Sequence, residues 1–177
     1  RIMICFIVTK VSFCNIKTLD GIDPKQVNVY ACWEEEVNIN VGELTEIAGV
    51  YAVKSLVTCT EYLKSGEIDA MVTAPIHKKN TQSEHFNFTG HTPYLKDTFG
   101  VEEVVMMLYS NDFRVALVTE HISIAKVSAY ITTERIMQKA KILNDALIKD
   151  FGIMKPKIAI LGLNPHAGDN GLIGSEE

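Results

Sequence analysis

No apolar run of membrane-spanning length occurs in this sequence. The opening stretch, RIMICFIVTKV, comes nearest, but a span needs about 20 residues, and no small-residue cleavage site follows it. It reads as a buried strand of a cytoplasmic protein with no membrane partner. A basic stripe is missing too. The formal net charge is −5 at pH 7, so nothing is present to neutralise a phosphate backbone, and nucleic acid is not expected as a partner. Cysteine is sparse and unpatterned. Cys5, Cys14, Cys32 and Cys59 form no C-x-x-C and lie in or beside apolar runs, which points to buried reduced thiols and away from a disulfide framework. No G-x-G-x-x-G follows a strand, and neither a Walker loop nor a G-x-S-x-G turn occurs, so the usual dinucleotide, P-loop and serine-hydrolase sites are excluded. Repeats and low-complexity tracts are absent as well.

What remains is a globular composition, 47% hydrophobic and 22% charged, with mean hydropathy +0.10. At 177 residues the chain has the size of one domain or two small lobes. Ile2 to Val8 reads as a buried strand, residues 15–26 as a loop around Asp20-Gly21 and Asp23-Pro24, and Val27 to Cys32 as a second short strand. Trp33 followed by Glu34, Glu35 and Glu36 reads as a solvated turn. From Gly42 the apolar period changes: Leu44, Ile47, Ala48, Tyr51, Ala52, Leu56, Cys59 and Leu63 share one helical face, with Gly66 as its stop. Ile68 to Thr73 follows as a strand, which makes an α/β unit. Pro93 to Phe99 predicts a short helix closed by Gly100. Val104 to Tyr109 and Phe113 to Thr119 are strands joined too tightly to be other than antiparallel, so a mixed sheet is expected. Thr132 or Thr133 caps a helix carrying Ile136, Ala140, Leu143 and Leu147, and Pro156 opens a strand over Lys157 to Leu163.

The chemistry gathers where apolar runs end. Met71 to His91 carries His77, His85, His91 and the Lys78-Lys79 doublet into a Thr-Gly-His-Thr turn. His121 follows VALVTE, and His166 lies in Asn164-Pro165-His166-Ala167-Gly168. Strand ends that deliver histidines build a site at the carboxyl edge of an open α/β sheet. Proline and glycine around His166 imply a stiffly held ring. His121 and His166, 45 residues apart in sequence, could share a divalent ion, but two ligands are too few for a tight site, and a strand-end histidine also suits a structural role. His91 could orient a hydroxyl or phosphate oxygen with Thr92 beside it, or equally be a satisfied imidazole in a capped loop. Lys78 would stabilise a nearby phosphate, and His85 reads as surface. Chemistry alone stops at an α/β protein with a candidate histidine metal site.

VTAPIHKK, FTGHT, VVMML, RVALVTEH and LGLNPHAGDNGLIGSEE, in this order and spacing, resemble the 4-hydroxythreonine-4-phosphate dehydrogenase family of pyridoxal phosphate biosynthesis. The resemblance covers about Gly42 to Glu177 and is loose over residues 1–41. NPHAGDNG-x-x-G-x-E is its most specific part. It implies a two-lobed, three-layer α/β/α fold like that of the isocitrate and isopropylmalate dehydrogenases, with residues 1–75 in the first lobe and 76–177 in the second, which carries the metal and substrate histidines. It implies His121 and His166 as ligands of a divalent metal (Zn, Mg or Co), and His91 and Thr92 as substrate-binding residues. From their position on this scaffold, Lys78 is expected on the phosphate side and Thr73 on the NAD or NADP side.

The implied reaction is NAD(P)-dependent oxidation of 4-phosphohydroxy-L-threonine, a small phosphorylated amino acid, followed by decarboxylation to 3-amino-2-oxopropyl phosphate. The implied assembly is a homodimer with a shared active site. The family's third metal histidine, its remaining substrate residues and its N-terminal GDPxGIGPE-type segment are not matched here. The chain is therefore expected to be a partial one, lacking both ends and inactive in isolation. Two alternatives stay open: a paralogous dehydrogenase acting on a phosphorylated sugar acid or a dihydrodiol, and a non-catalytic dimerisation fragment.

Overall fold

A computed structural model describes Ile2–Met3 and residues 13–176. The chain divides into two compact units, Arg1–Gly100 and Val101–Glu177.

In the first unit, the apolar 3-and-4 spacing folds as α1 (Glu46–Ser65). The helix starts later than its apolar pattern because Thr45 takes the cap, its hydroxyl accepting from the Ala48 N–H at 3.3 Å. It stops at Gly66, whose φ of +78° lets its N–H return to the Leu63 and Tyr62 carbonyls. β1 (Ile2–Met3) pairs in parallel with β4 (Ala70–Met71), a shorter strand than the expected Ile68 to Thr73. The rest of the strand expected to Val8 lies outside the described residues, as does Cys5. β2 (Phe13–Ile16) was not anticipated, and its last two residues fall in what reads as a loop. It pairs in parallel with β3 (Val27–Tyr30), Phe13 opposite Val27 and Ile16 opposite Tyr30. Parallel neighbours ordinarily need about a dozen connecting residues. Here the link is tightened by a 3-10 turn at Leu19–Gly21 and by Asn28, which bonds Asp23 through both ends of its amide at 2.8 and 3.0 Å.

Glu35 is not simply solvated. Its carboxylate accepts from the Tyr51 hydroxyl at 2.9 Å and from Lys54 Nζ at 3.0 Å. A backbone N–H together with these two donors holds it down to about 2. The expected burial of the cysteines holds for Cys59 alone among the described ones, Cys14 and Cys32 being half-buried.

The core of this unit is Leu56 of α1, Phe86 and Tyr94, with Val53, Val57, Met71, Phe88 and Leu95 packed around them. Phe86, Phe88 and Tyr94 meet ring to ring at 5.2–5.4 Å. The histidine-rich loop and α2 (His91–Thr98) are thereby tied to α1 within the first unit.

In the second unit, β5 (Met107–Ser110) and β6 (Phe113–Ala116) form the expected antiparallel hairpin, with a two-residue turn at Asn111-Asp112. A short helix, α3 (Val127–Tyr130), precedes α4 (Thr133–Lys149), which is capped by Thr132. The Arg114 guanidinium lies 5.0 Å from both the Tyr109 and Phe151 ring centres.

Two expectations fail. The strands form three separate two-stranded sheets among the described residues, two parallel and one antiparallel, so no mixed sheet is assembled. Lys157 to Leu163 is not a strand, because its backbone finds no ladder partner among the described residues. Leu161 is left 87% exposed. The architecture is α/β.

Candidate functional site

The first unit places Lys78, His91 and Thr92 together. Thr81 is buried at 2% and its hydroxyl donates to the His77 carbonyl at 3.2 Å, which curls the Lys78-Lys79 turn. Asn80 ties that turn to α1, its amide donating to the Thr45 carbonyl at 2.9 Å. Gln82 Nε2 donates to the Phe88 carbonyl at 2.6 Å and fixes the approach to α2. Gly90 then turns the chain at φ +150°, a conformation that admits glycine alone without strain, and Lys78 Cε lies 3.8 Å from where a Cβ on Gly90 would sit. The lysine stem therefore passes the N-terminus of α2, whose first residues are His91 and Thr92. Free backbone N–H groups at a helix start, joined by an ammonium, suit an anion.

His91 is half-buried, and burial pushes its imidazole below the ordinary 6.5, so at neutral pH the ring offers one donor and one acceptor. Thr92 is exposed. Thr73 is exposed just past β4, with no hydrogen bond to another described residue. His85 is exposed, as expected.

The second unit holds His121 and His166, both exposed. His121 takes φ +56°. His166 opens six consecutive residues with positive φ, from His166 to Gly171. Four of them carry side chains, and a left-handed turn costs an L-residue on the order of 1 kcal/mol. Asn164 steadies this run, its Nδ2 donating to Glu176 Oε2 at 2.7 Å. Strain of this kind persists only where the surroundings over-determine it, and it concentrates at working sites. Neither imidazole hydrogen-bonds to another described residue, so the ring nitrogens remain free to ligate. No group of three His, Cys, Asp or Glu side chains gathers for a metal ion among the described residues.

The sequence reading missed three supporting residues: Asn80, Glu176 and Lys139. Lys139 had a visible signal, a lysine on the apolar stripe of α4 between Ile136 and Leu143. It is 3% exposed, and its ammonium lies 2.6 Å from the Val104 carbonyl, 3.3 Å from Glu103 Oε1 and 3.4 Å from Glu120 Oε1.

The family described as pyridoxal phosphate biosynthetic protein PdxA matches residues 3–177. The chain belongs to this family. The match takes in nearly all of residues 1–41, where the resemblance was expected to be loose. A Bacteroides thetaiotaomicron 4-hydroxythreonine-4-phosphate dehydrogenase is 42% identical over 167 residues, which is 94% of this chain and 46% of that protein. Crystal structures of proteins with the same name superpose well. The one from Burkholderia phymatum has a TM-score of 0.74 at 33% identity, covering 93% of this chain and 50% of its own. The one from Klebsiella pneumoniae has a TM-score of 0.79 at 26% identity, covering 95% and 51%. The chain thus spans about half the length of the curated PdxA relatives it matches. No helix among the described residues is long and apolar enough to cross a membrane.

Proposed function

We propose that the full-length protein oxidises 4-phosphohydroxy-L-threonine with NAD or NADP and a divalent metal, and decarboxylates the product to 3-amino-2-oxopropyl phosphate. The observation that carries this reading is membership of the PdxA family over residues 3–177, whose relatives bear the dehydrogenase's name. The Lys78 stem beside the start of α2 supports a phosphorylated substrate. The fold of the whole protein in this reading is two-lobed and three-layered, like the isocitrate and isopropylmalate dehydrogenases. The enzyme is a cytoplasmic homodimer whose subunits share the site.

Each residue then has a task. Lys78 and the N–H groups at the start of α2 hold the phosphate. Neutral His91 bonds a substrate oxygen through one ring nitrogen, with the Thr92 hydroxyl alongside, and Thr73 faces the nucleotide. His121 and His166 hold the metal. Their free ring nitrogens suit Zn or Co, for which neutral imidazole is a common ligand, and further donors complete the set. A divalent metal held there would supply Lewis acidity toward the substrate hydroxyl, and NAD or NADP would supply the hydride acceptor.

The deciding assay is nucleotide reduction by the full-length protein, with 4-phosphohydroxy-L-threonine compared against phosphorylated threonate and erythronate. Turnover of the amino acid is expected, with Lys78→Met raising KM about tenfold or more through loss of a charged contact. Turnover of the sugar acids alone would move the assignment to a paralogous dehydrogenase, and reduction with none of them would remove it.

A further inference from the structure

We infer that Lys139 is a positioning residue for His121, acting through Glu120. The inference rests on the metal reading of His121 given above.

A buried ammonium is stable only where its hydrogen bonds and charge are answered. Lys139 answers both by joining three parts of the second unit: α4, the Glu103-Val104 segment before β5, and the turn after β6 at Glu120. The two carboxylates are not equivalent. Glu103 Oε1 also accepts from the Val104 N–H at 3.0 Å, so its own backbone holds it. Glu120 Oε1 is held across the fold by Lys139, and Glu120 Oε2 is buried without a hydrogen-bond partner among the described groups. A half-buried carboxylate with one oxygen shielded in this way depends on the ammonium to stay where it is.

The residue that follows it is His121, at φ +56° and with its side chain exposed. A non-glycine residue keeps a left-handed conformation when its neighbours leave it no other, and here the neighbour is clamped from inside the unit. The ion pair thus sets the direction in which His121 leaves the chain, with no hydrogen bond from the imidazole to either Lys139 or Glu120. The sequence places this lysine where the α4 stripe otherwise carries Ile136, Ala140, Leu143 and Leu147, an apolar position that packing alone would fill with leucine.

Lys139→Met removes the cation from both carboxylates at once and leaves half-buried Glu120 without its partner, a change expected to destabilise the unit as a whole, so the isosteric variants are the test. Full-length protein stripped of metal is titrated with Co2+, following its visible absorption band, for wild type, Glu120→Gln, Glu103→Gln and His121→Ala, with thermal unfolding of each metal-free protein alongside. The inference predicts that His121→Ala abolishes the band. It predicts that Glu120→Gln raises the Co2+ Kd by about tenfold or more and shifts the band, as loss of a supporting contact behind a metal ligand does. Glu103→Gln should stay within about twofold of wild type in Kd, whatever it does to Tm. Co2+ binding and spectrum unchanged in Glu120→Gln, with His121→Ala still abolishing them, would reduce Lys139 to a structural pin and overturn the inference alone. Equal weakening by both glutamine variants would overturn it too. An unchanged band in His121→Ala would overturn the metal reading and the inference together.

Discussion

His91 is the residue on which geometry and protonation bear most directly. Its partial burial lowers the imidazole's affinity for a proton, and a place in the first turn of α2 disfavours positive charge as well. Because the folded value is depressed, the unfolded chain binds the proton first as pH falls. The contribution of His91 to stability is therefore complete above about 6.5 and is lost as pH drops through the lower, folded value. Urea midpoints between pH 7.5 and 5 should fall more steeply for wild type than for His91→Gln, and parallel curves would contradict the assignment. At this scale the sequence supplies the candidates. His91, Thr92 and Lys78 stand out because a strand end, a proline and a Thr-Gly-His-Thr turn lie close together along the chain. Lys139 escaped because its partners Val104 and Glu120 are 35 and 19 residues away, beyond any local pattern. The left-handed run from His166 was half visible, since proline and glycine announce unusual backbone but not its sign.

Helices were read well because their signals are local: Thr132 as a cap, Gly66 as a stop, Pro93 in the first turn of α2. Strands fared worse because a strand exists only with a partner. β2 was lost in an apparent loop, and Lys157 to Leu163 has the composition of a strand without a ladder. Gly49 shows how an element is constrained by what crosses it. It is buried in α1, and a Cβ there would run into the Asn80 backbone carbonyl, which no side-chain rotation relieves. Alanine gains about 1 kcal/mol in a helix interior over glycine, whereas overpacking costs about 1–3 kcal/mol and here would push a backbone segment. Gly49→Ala is expected to lower Tm and loosen the Lys78 turn. An unchanged or raised Tm would show that the turn does not press on α1.

For the whole molecule, family membership over residues 3–177 sets the frame, and the chain spans about half the length of its curated relatives. The histidine pair of the second unit is the part of that frame on which the proposed chemistry turns. Imidazole–metal bonds run about 2.0–2.1 Å, so two rings sharing one ion must face it together. The direct test is a crystal of the full-length protein grown with Co2+ or Zn2+, located by anomalous scattering. The account predicts one peak within bonding distance of a ring nitrogen of both His121 and His166. Rings more than about 8 Å apart and turned away from each other, with the metal elsewhere, would contradict it.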